Sequence, residues 1–534
     1  MGRISKTNYI WLIAFLALAV AAAFLLVAYS GSKSLNSRLE EELKVLSEKE
    51  KRSVIVQSIS AQMEEIAYQQ KAVSDEQREE ALQQTRIANQ MRRQSEIERQ
   101  NAIEAQRSAL ASEQKAIEAS RQAENERLVA EARRAEAEQA RAVADTLGYL
   151  ALSRSLASAA SLQENAGNHE LSSLLAYASY IFTKRYNGDL YQPVLFEALS
   201  LTSRSSQTWP VHNGSIMKFG WVGSGDSLAY SISTYGELAM HRVENDKLSS
   251  KILFSNNNFD FRDIVIQEDG SAYAVSRSGE LLCMDASGKI RLQVLEGIVH
   301  PFRVFSFTDG QLLVVAENKT IILDLASMRA IKTISYSKPV SIAGIGEKEN
   351  LLLFGEDSQM LDLFSGKSPY DIVGLPFKEK VFSYTWMKEA GISVFGTTDG
   401  VINLVHPSGG LVSLVGHRSR VSRLVNLLRI AGDRGRNILF STSYDGTVKM
   451  WDLNKEKWEP VTVLASDSWV VSCAFDSACE NIWTGDQNGN LTRTLISIPK
   501  MARRLKMSLT RDFTREEWAY YVGENVPYET FKDR

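Results

Sequence analysis

The residues that could carry chemistry are spread along this chain without a catalytic spacing. Its histidines form neither an H-E-x-x-H pair nor any other paired spacing, and there is no G-x-S-x-G turn for a nucleophilic serine. The Gly-Ser-Gly sequence at Gly223 to Gly225 favours a hairpin turn over a phosphate-binding loop. We therefore expect no enzyme activity and no catalytic, cofactor-binding or metal-binding residues. The histidines are His169, His212, His241, His300, His406 and His417.

Charge and cysteine content narrow the class of protein further. The 534 residues are 44% hydrophobic and 23% charged, with a net charge of −3. This balance argues against nucleic acid as a partner, because nucleic-acid binders need a basic surface. Cys283, Cys473 and Cys479 make an odd count without zinc-ligand spacing, so neither a disulfide framework nor a zinc site is expected.

The elements that would position any site begin with an apolar segment. Tyr9 to Tyr29 contains no charged residue, and a helix of that length spans about 30 Å, one hydrocarbon core. We predict a single-pass transmembrane helix over residues 9–30 of an inner (cytoplasmic) membrane, after a flank of residues 1–8. A cleaved signal peptide is the alternative, since Ala28 to Ser30 resembles a cleavage site. The flanking charges leave the side of the membrane open.

The next segment, residues 31–147, is predicted to be a coiled-coil stalk. It has no Gly or Pro from Ser32 to Leu147 and is rich in strong helix formers. A seven-residue recurrence keeps one stripe of a helix facing a partner, so we expect a homo-oligomer of open number. A single charged helix or partial disorder is the alternative. The recurring alanines are Ala102, Ala109, Ala116, Ala123, Ala130, Ala137 and Ala144.

A small helical collar is predicted over residues 148–204. Tyr149 to Ser161 and Glu170 to Tyr186 keep helical periodicity with larger apolar residues, and Gln163 to His169 supplies the turn between them. Leu190 to Leu201, with a proline near its start, indicates a third short helix. One hairpin is too few for a stable repeat array, so we expect it to dock on the next domain.

Residues 205–500 are predicted to form an all-β repeat domain. One unit contains Gly416-His417, then a strand, Ser443 to Thr447 (SYDGT), and a strand that ends in Trp451-Asp452. This unit closely resembles a WD40 repeat, a four-stranded blade of a β-propeller. The resemblance implies that four side chains form a structural hydrogen-bonded tetrad: His417, Ser443, Asp445 and Trp451.

Weaker copies of this unit bring the number to seven, which predicts a seven-bladed propeller. In WD40-type propellers the outer strand of the last blade often comes from the other end of the domain. Ser205 to Val211, just before the first unit, is placed to supply that strand and to remove an exposed sheet edge.

The last segment, residues 501–534, is predicted to cap the protein. Thr514 and Glu517 have capping-box spacing, while Phe513 and Trp518 have the spacing of a hydrophobic staple. These residues predict a short helix over Arg515 to Val522, and Gly523 ends it.

The tail and the collar extend the resemblance. Prokaryotic WD40 proteins of the STAND-NTPase type often end in a similar L-T-x-x-E-W segment. They also often carry an LLAxxAY element before the propeller, which Leu174 to Tyr180 resembles. The resemblance covers about Glu96 to the end. However, the chain has no G-x-x-x-x-G-K-[ST] loop for a nucleotide, so the family's ATP-driven switch is not carried over.

Together these features predict a membrane-anchored bacterial scaffold or adaptor. Its propeller would bind a protein partner, and its stalk would set height and valency, which raises effective concentration. Two alternatives stay open. The propeller could be a ligand sensor that signals through the coil, or an enzyme with a site built from distant blade loops.

Overall fold

The computed structural model describes residues 87, 90–97, 99, 114–244, 246–307, 310–356, 359–364, 370–427, 430 and 437–532. The predicted flank, the predicted transmembrane helix at residues 9–30 and most of the predicted stalk lie outside these residues. In the described part of the chain, no helix combines the length needed to span a membrane with a sufficiently apolar sequence.

Contacts divide the chain into two units, residues 1–134 and 135–534. Of the first unit, residues 90–97 and the beginning of helix α1 are helical. Helix α1 (Gln114–Asn165) continues through Gly148, so the helix does not stop where the heptad pattern does. Within the second unit, α2 (His169–Arg185) follows a turn at Gly167, whose φ is +84°. Helix α3 (Pro193–Thr202) begins with proline, which has no backbone N–H to leave unpaired.

Twenty-eight strands follow in the described part of the chain, all of them short runs bounded by turns. The first five are β1 (Ser206–Pro210), β2 (Ile216–Trp221), β3 (Leu228–Ser233), β4 (Glu237–Glu244) and β5 (Lys247–Ser255). The next eight are β6 (Phe261–Ile266), β7 (Ala272–Ser276), β8 (Glu280–Met284), β9 (Ile290–Val294), β10 (Pro301–Ser306), β11 (Gln311–Ala316), β12 (Lys319–Asp324) and β13 (Ala330–Ser335).

The remaining strands continue the same pattern to residue 495. They are β14 (Ile342–Ile345), β15 (Leu351–Phe354), β16 (Gln359–Leu363), β17 (Tyr370–Gly374), β18 (Val381–Met387), β19 (Ile392–Thr397), β20 (Val401–Val405) and β21 (Leu411–Val415). The last seven are β22 (Val421–Leu427), β23 (Ile438–Ser443), β24 (Thr447–Asp452), β25 (Val461–Ala465), β26 (Val470–Phe475), β27 (Asn481–Asp486) and β28 (Asn490–Leu495).

The strands form seven antiparallel four-stranded sheets, which confirms the predicted seven-bladed propeller. Six blades use four consecutive strands each, from β2–β5 (blade one) to β22–β25 (blade six). Blade seven combines β26, β27 and β28 with β1, which pairs Ser206 with Thr494 and Pro210 with Asn490. The prediction that the segment before the first unit closes the last blade is therefore confirmed. The innermost strands lie against one another around the ring, and β26 meets β2 at the closure.

Tight turns between the second and third strands of the blades depend on glycine. Gly446 follows Asp445 in blade six with φ of +80°, and a Cβ there would lie 2.0 Å from the carbonyl oxygen of Ser466. At Gly489 in blade seven, where φ is +79°, a Cβ would lie 2.0 Å from the carbonyl oxygen of His212. A side chain is excluded at both positions by conformation and by space.

The helices and blades six and seven share one hydrophobic core. Helix α4 (Ile498–Ser508) begins before the predicted domain boundary at residue 500, because Pro499 favours the first turn of a helix. Helix α5 (Arg515–Tyr521) packs with its tail on α1 and α2. The core includes Leu156, Phe182, Leu199, Phe440, Met501 and Trp518. Its continuity means that collar, tail and two blades bury each other's apolar surface.

Candidate functional site

In blade six, a chain of polar contacts links strands β23 and β24, the turn between them and the loop that enters the blade. His417 Nδ1 lies 3.0 Å from Asp445 Oδ2, and His417 Nε2 lies 2.7 Å from Ser441 Oγ. The indole N–H of Trp451 donates to the same Ser441 oxygen at 2.8 Å. Burial would raise the pKa of Asp445, but hydrogen bonds from His417, Thr447 and backbone N–H groups hold it well below its usual range. Every member of this network is engaged in holding the blade together.

The serine of this network is Ser441, so the prediction of Ser443 is wrong. Trp451 pairs with Leu439 across the β23–β24 ladder, and residue 441 is the next position on that face of the strand. Ser443 lies about 7 Å further along, because each pair of residues advances a strand by that distance. At the end of the strand it serves the turn instead. Its hydroxyl donates to Ser419 O at 3.0 Å and accepts from Asp445 N at 3.1 Å.

Blade one contains a second network that sequence reasoning missed. His212 contacts Glu237 at 3.0 Å and Ser231 at 2.6 Å, and Ser231 also contacts His241 Nε2 at 2.6 Å. Here Glu replaces the aspartate and His replaces the tryptophan. Ser231 precedes Gly236 by the same number of residues as Ser441 precedes Gly446. This shared spacing is the sequence signal that could have identified the network.

Both histidines of the blade-one network are buried. Burial lowers the pKa of His212 despite its carboxylate partner. Burial and the neighbouring His212 lower the pKa of His241 to about 3. The imidazoles are therefore neutral near pH 7, and both nitrogens of His241 are occupied, by Ser231 and by Ser250 at 2.9 Å. This arrangement is structural in both blades.

The predicted cap residues come together at α5. Thr514 Oγ1 accepts from Glu517 N at 3.1 Å, and a Glu517 carboxylate oxygen accepts from Thr514 N at 2.9 Å. The rings of Phe513 and Trp518 lie 5.7 Å apart, edge to face. These contacts fix the start of the helix, and Gly523 follows its end with φ of +114°.

An aromatic surface is exposed where the loops between blades meet the turns within them. We define it by Phe382, Arg420, Tyr444 and Trp469, from blades five, six and seven. Tyr444 and Trp469 stack with centroids 4.6 Å apart and an angle of 7°. Tyr444 also meets Phe382 edge to face at 5.4 Å, and the Arg420 guanidinium lies 5.5 Å from the Phe382 ring centre. Trp469 nevertheless leaves 47% of its surface exposed.

The backbone holds the aromatic surface in place. Tyr444 N donates to Arg420 O at 3.0 Å, which ties the β23–β24 turn to the loop that enters blade six. Gln487 N donates to Trp469 O at 2.9 Å, which makes the same link in blade seven. Rigid elements on both sides therefore present these rings, so little conformational entropy is left to lose when they bind.

Histidine, cysteine and acidic side chains are dispersed among the described residues. No group of three His, Cys, Asp or Glu side chains there could hold a metal ion. None of the three cysteines, Cys283, Cys473 and Cys479, forms a disulfide. Burial raises the pKa of Cys283 to about 11 and the pKa of Cys473 to about 12, which makes both poor nucleophiles at neutral pH.

The sequence matches no protein-family model, and it is significantly similar to no curated protein. The fold is accordingly characterised by its geometry. Seven four-stranded blades, a closing strand from the start of the domain and the His417–Ser441–Trp451 network are consistent with a WD40-like propeller.

Proposed function

We propose that this protein is a membrane-anchored, non-enzymatic scaffold whose propeller binds a protein through the aromatic surface. The observation that carries the proposal is the continuous row of Arg420, Phe382, Tyr444 and Trp469 across three blades. Tryptophan, tyrosine and arginine are the residues that dominate binding energy at protein interfaces. Exposed aromatic side chains that adjoin one another mark sites of protein interaction.

The charges beside these rings favour a particular partner chemistry. Arg418 and Arg420 are both exposed in the loop that enters blade six. A guanidinium recognises a carboxylate through paired hydrogen bonds, and the stacked rings accept an apolar side chain. We therefore propose as partner a protein segment that carries an acidic residue next to an apolar or aromatic one.

The stalk and the anchor complete the proposal. Side chains of residues 121–145 in α1 are exposed around most of the helix, including Leu128, Val129 and Val143. A helix with this much exposed apolar surface gains stability by pairing with copies of itself. The uncharged segment at residues 9–30 would hold such an oligomer at the inner membrane as a single-pass anchor.

The test is site-specific photocrosslinking in intact cells. A photoreactive amino acid at Trp469 reports on the aromatic surface, and the same residue at Tyr520 is the matched control, since that tyrosine is 63% exposed on α5. We expect a protein adduct at position 469 that is absent at 520. Introducing Arg420→Glu should abolish the adduct without changing the amount of protein.

The proposal fails if positions 469 and 520 give the same adducts or if Arg420→Glu leaves them unchanged. Anchoring is tested separately by alkaline extraction of membranes. Protease treatment of intact spheroplasts, with a cytoplasmic control protein, then decides the side of the propeller. Loss of the protein from the membrane pellet at high pH would contradict the membrane anchor, but not the proposed protein-binding surface.

A further inference from the structure

The central channel of the propeller is lined by one set of equivalent positions. In β2, β6, β10, β18, β22 and β26 the register shifts at the second residue, which is a β-bulge at the start of each inner strand. Bulges re-aim the side chains that follow them. The residues directly after them that line the channel cavity are Lys218, Asp263, Arg303, Ser383, Arg423 and Ser472.

Three of these six residues are cations and one is an anion. Lys218 Nζ lies 2.9 Å from Asp263 Oδ1, and Arg303 Nη1 lies 3.7 Å from the same oxygen. Arg423 of blade six donates instead to the backbone oxygen of Met217 in blade one at 3.0 Å. The Asp263 side chain is 1% exposed, and its second oxygen accepts from Val304 N at 3.0 Å. One carboxylate therefore faces three cations, which leaves an excess of two positive charges.

This excess is costly for the protein alone. Burial lowers the pKa of Lys218, and burial together with the charge of Arg423 lowers the pKa of Arg303 to about 10. Burial would raise the pKa of Asp263, but the three cations outweigh it and lower that pKa. The side chains of Asp263, Arg303 and Lys218 are 1%, 17% and 37% exposed, so the channel shields the carboxylate and the guanidinium from water more than it shields the ammonium. A bound dianion would supply the two negative charges that these six positions lack.

The channel has room for such a ligand. Its cavity has a volume of about 520 Å³, which lies within the range of small-molecule sites. Phe305, Tyr384 and Trp386 line it beside the cations. At one end Glu347 and Glu349 stand with Lys388, and both carboxylates are exposed, so solvent screens their repulsion of an entering anion.

We propose that the central channel binds a phosphoryl dianion against Lys218, Arg303 and Arg423. Two guanidinium groups suit the several oxygens of a phosphoryl group better than those of a single carboxylate. The source is either free phosphate or a phosphate monoester whose organic part lies on the aromatic lining. This site is distinct from the aromatic surface and does not depend on the proposed scaffold role.

Calorimetric titration of the full-length protein in detergent tests the site. Inorganic phosphate and phenyl phosphate are each titrated into the protein at constant ionic strength, and sodium chloride is titrated as the control salt. We expect both to bind, and Arg303→Gln to weaken binding by roughly tenfold or more, since it removes a charge-assisted contact. Arg503→Gln, an exposed arginine on α4 outside the channel, is the matched control and should bind as the unaltered protein does.

Each outcome decides a point. Tighter binding of phenyl phosphate assigns a phosphate ester, and equal binding assigns free phosphate. No binding by the unaltered protein overturns the proposal, as does equal binding by Arg303→Gln. Lys218→Met is a second variant in case Arg303→Gln does not fold, and unchanged affinity in that folded variant also overturns the proposal.

Discussion

The Arg185 guanidinium donates two parallel hydrogen bonds to the Glu529 carboxylate, from Nη1 to Oε1 at 2.6 Å and from Nη2 to Oε2 at 2.7 Å. The pair joins helix α2 to the tail, 344 residues further along the chain. Glu170 at the other end of α2 makes a second link, to Thr510 at 2.8 Å. The collar is therefore fastened at both ends to a segment that follows the propeller, which makes its folding depend on the completed chain.

The first prediction concerns this ion pair. Arg185→Gln should destabilise the collar by about 1 kcal/mol, because the bond is bidentate but the arginine remains partly exposed. A double-mutant cycle with Glu529→Gln, followed by chemical denaturation, measures the coupling. Arg503→Gln on the exposed side of α4 is the control and should have no effect. Zero coupling energy would show that this ion pair adds nothing to the other contacts that hold the tail.

The second prediction separates steric exclusion from backbone strain. Gly446 and Gly409 both have positive φ, +80° and +90°, but a Cβ meets Ser466 O at 2.0 Å only at the former. Gly409→Ala should therefore cost about 1 kcal/mol, the strain of a left-handed alanine. Gly446→Ala should lower the unfolding midpoint far more, because the Ser466 backbone must move. Equal midpoints for the two variants would refute the steric account.

The third prediction is a loss of stability in acid that depends on His241. Its pKa is lowered to about 3 in the fold, against about 6.5 in the unfolded chain. The unfolded chain therefore binds the proton first, so stability is complete above pH 6.5 and falls as the pH drops towards 3. The contribution of one histidine is about 1.4 kcal/mol per pH unit within that window.

Replacement of His241 tests this account. His241→Gln should reduce the slope of stability against pH between about 6 and 4, measured by urea denaturation at each pH. His406→Gln is the control, since that imidazole is exposed in a loop. His212 retains its own lowered pKa in the variant, so part of the acid sensitivity should remain. An unaltered slope in His241→Gln would mean that other groups cause the acid sensitivity.

The fold was predictable where local chemistry is specific. Gly416-His417 and Trp451-Asp452 flank the middle strands of blade six, and Asp445-Gly446 favours a tight turn, so β23, β24 and the turn between them could be located from the sequence. The closing strand β1 was predictable because a propeller otherwise leaves an open sheet edge. In the same unit, Ser443 was predicted in place of Ser441. The two side chains point to one side of β23, and only the cross-strand register distinguishes them.

The sites were far less predictable. Lys218, Asp263, Arg303 and Arg423 come from four blades, and only a shared bulge aligns them on the channel. The blade-one network is hidden for another reason. Glu237 follows Gly236, whereas Asp445 precedes Gly446, and the longer glutamate still reaches its histidine. The two blades make an equivalent contact with different residue types, so a search by residue type does not find the one in blade one.

The fourth prediction tests the stalk with substitutions that differ only in heptad position. Ala130 and Ala137 belong to the recurring alanines, while Ala135 and Ala142 lie five residues after a recurring position, on the opposite side of α1. All four are exposed in the single chain. Ala130→Glu with Ala137→Glu should dissociate the oligomer of the full-length protein, because it places like charges in the seam.

The matched pair Ala135→Glu and Ala142→Glu adds the same charge and the same helix propensity outside the seam, so the oligomer should persist. Sedimentation velocity in detergent measures both. Dissociation by both pairs would indicate a general charge effect, and dissociation by neither would contradict a coil through this part of α1. In the expected case the propeller of the dissociated variant should keep its unfolding midpoint, because the side chains of residues 121–145 are exposed in the single chain.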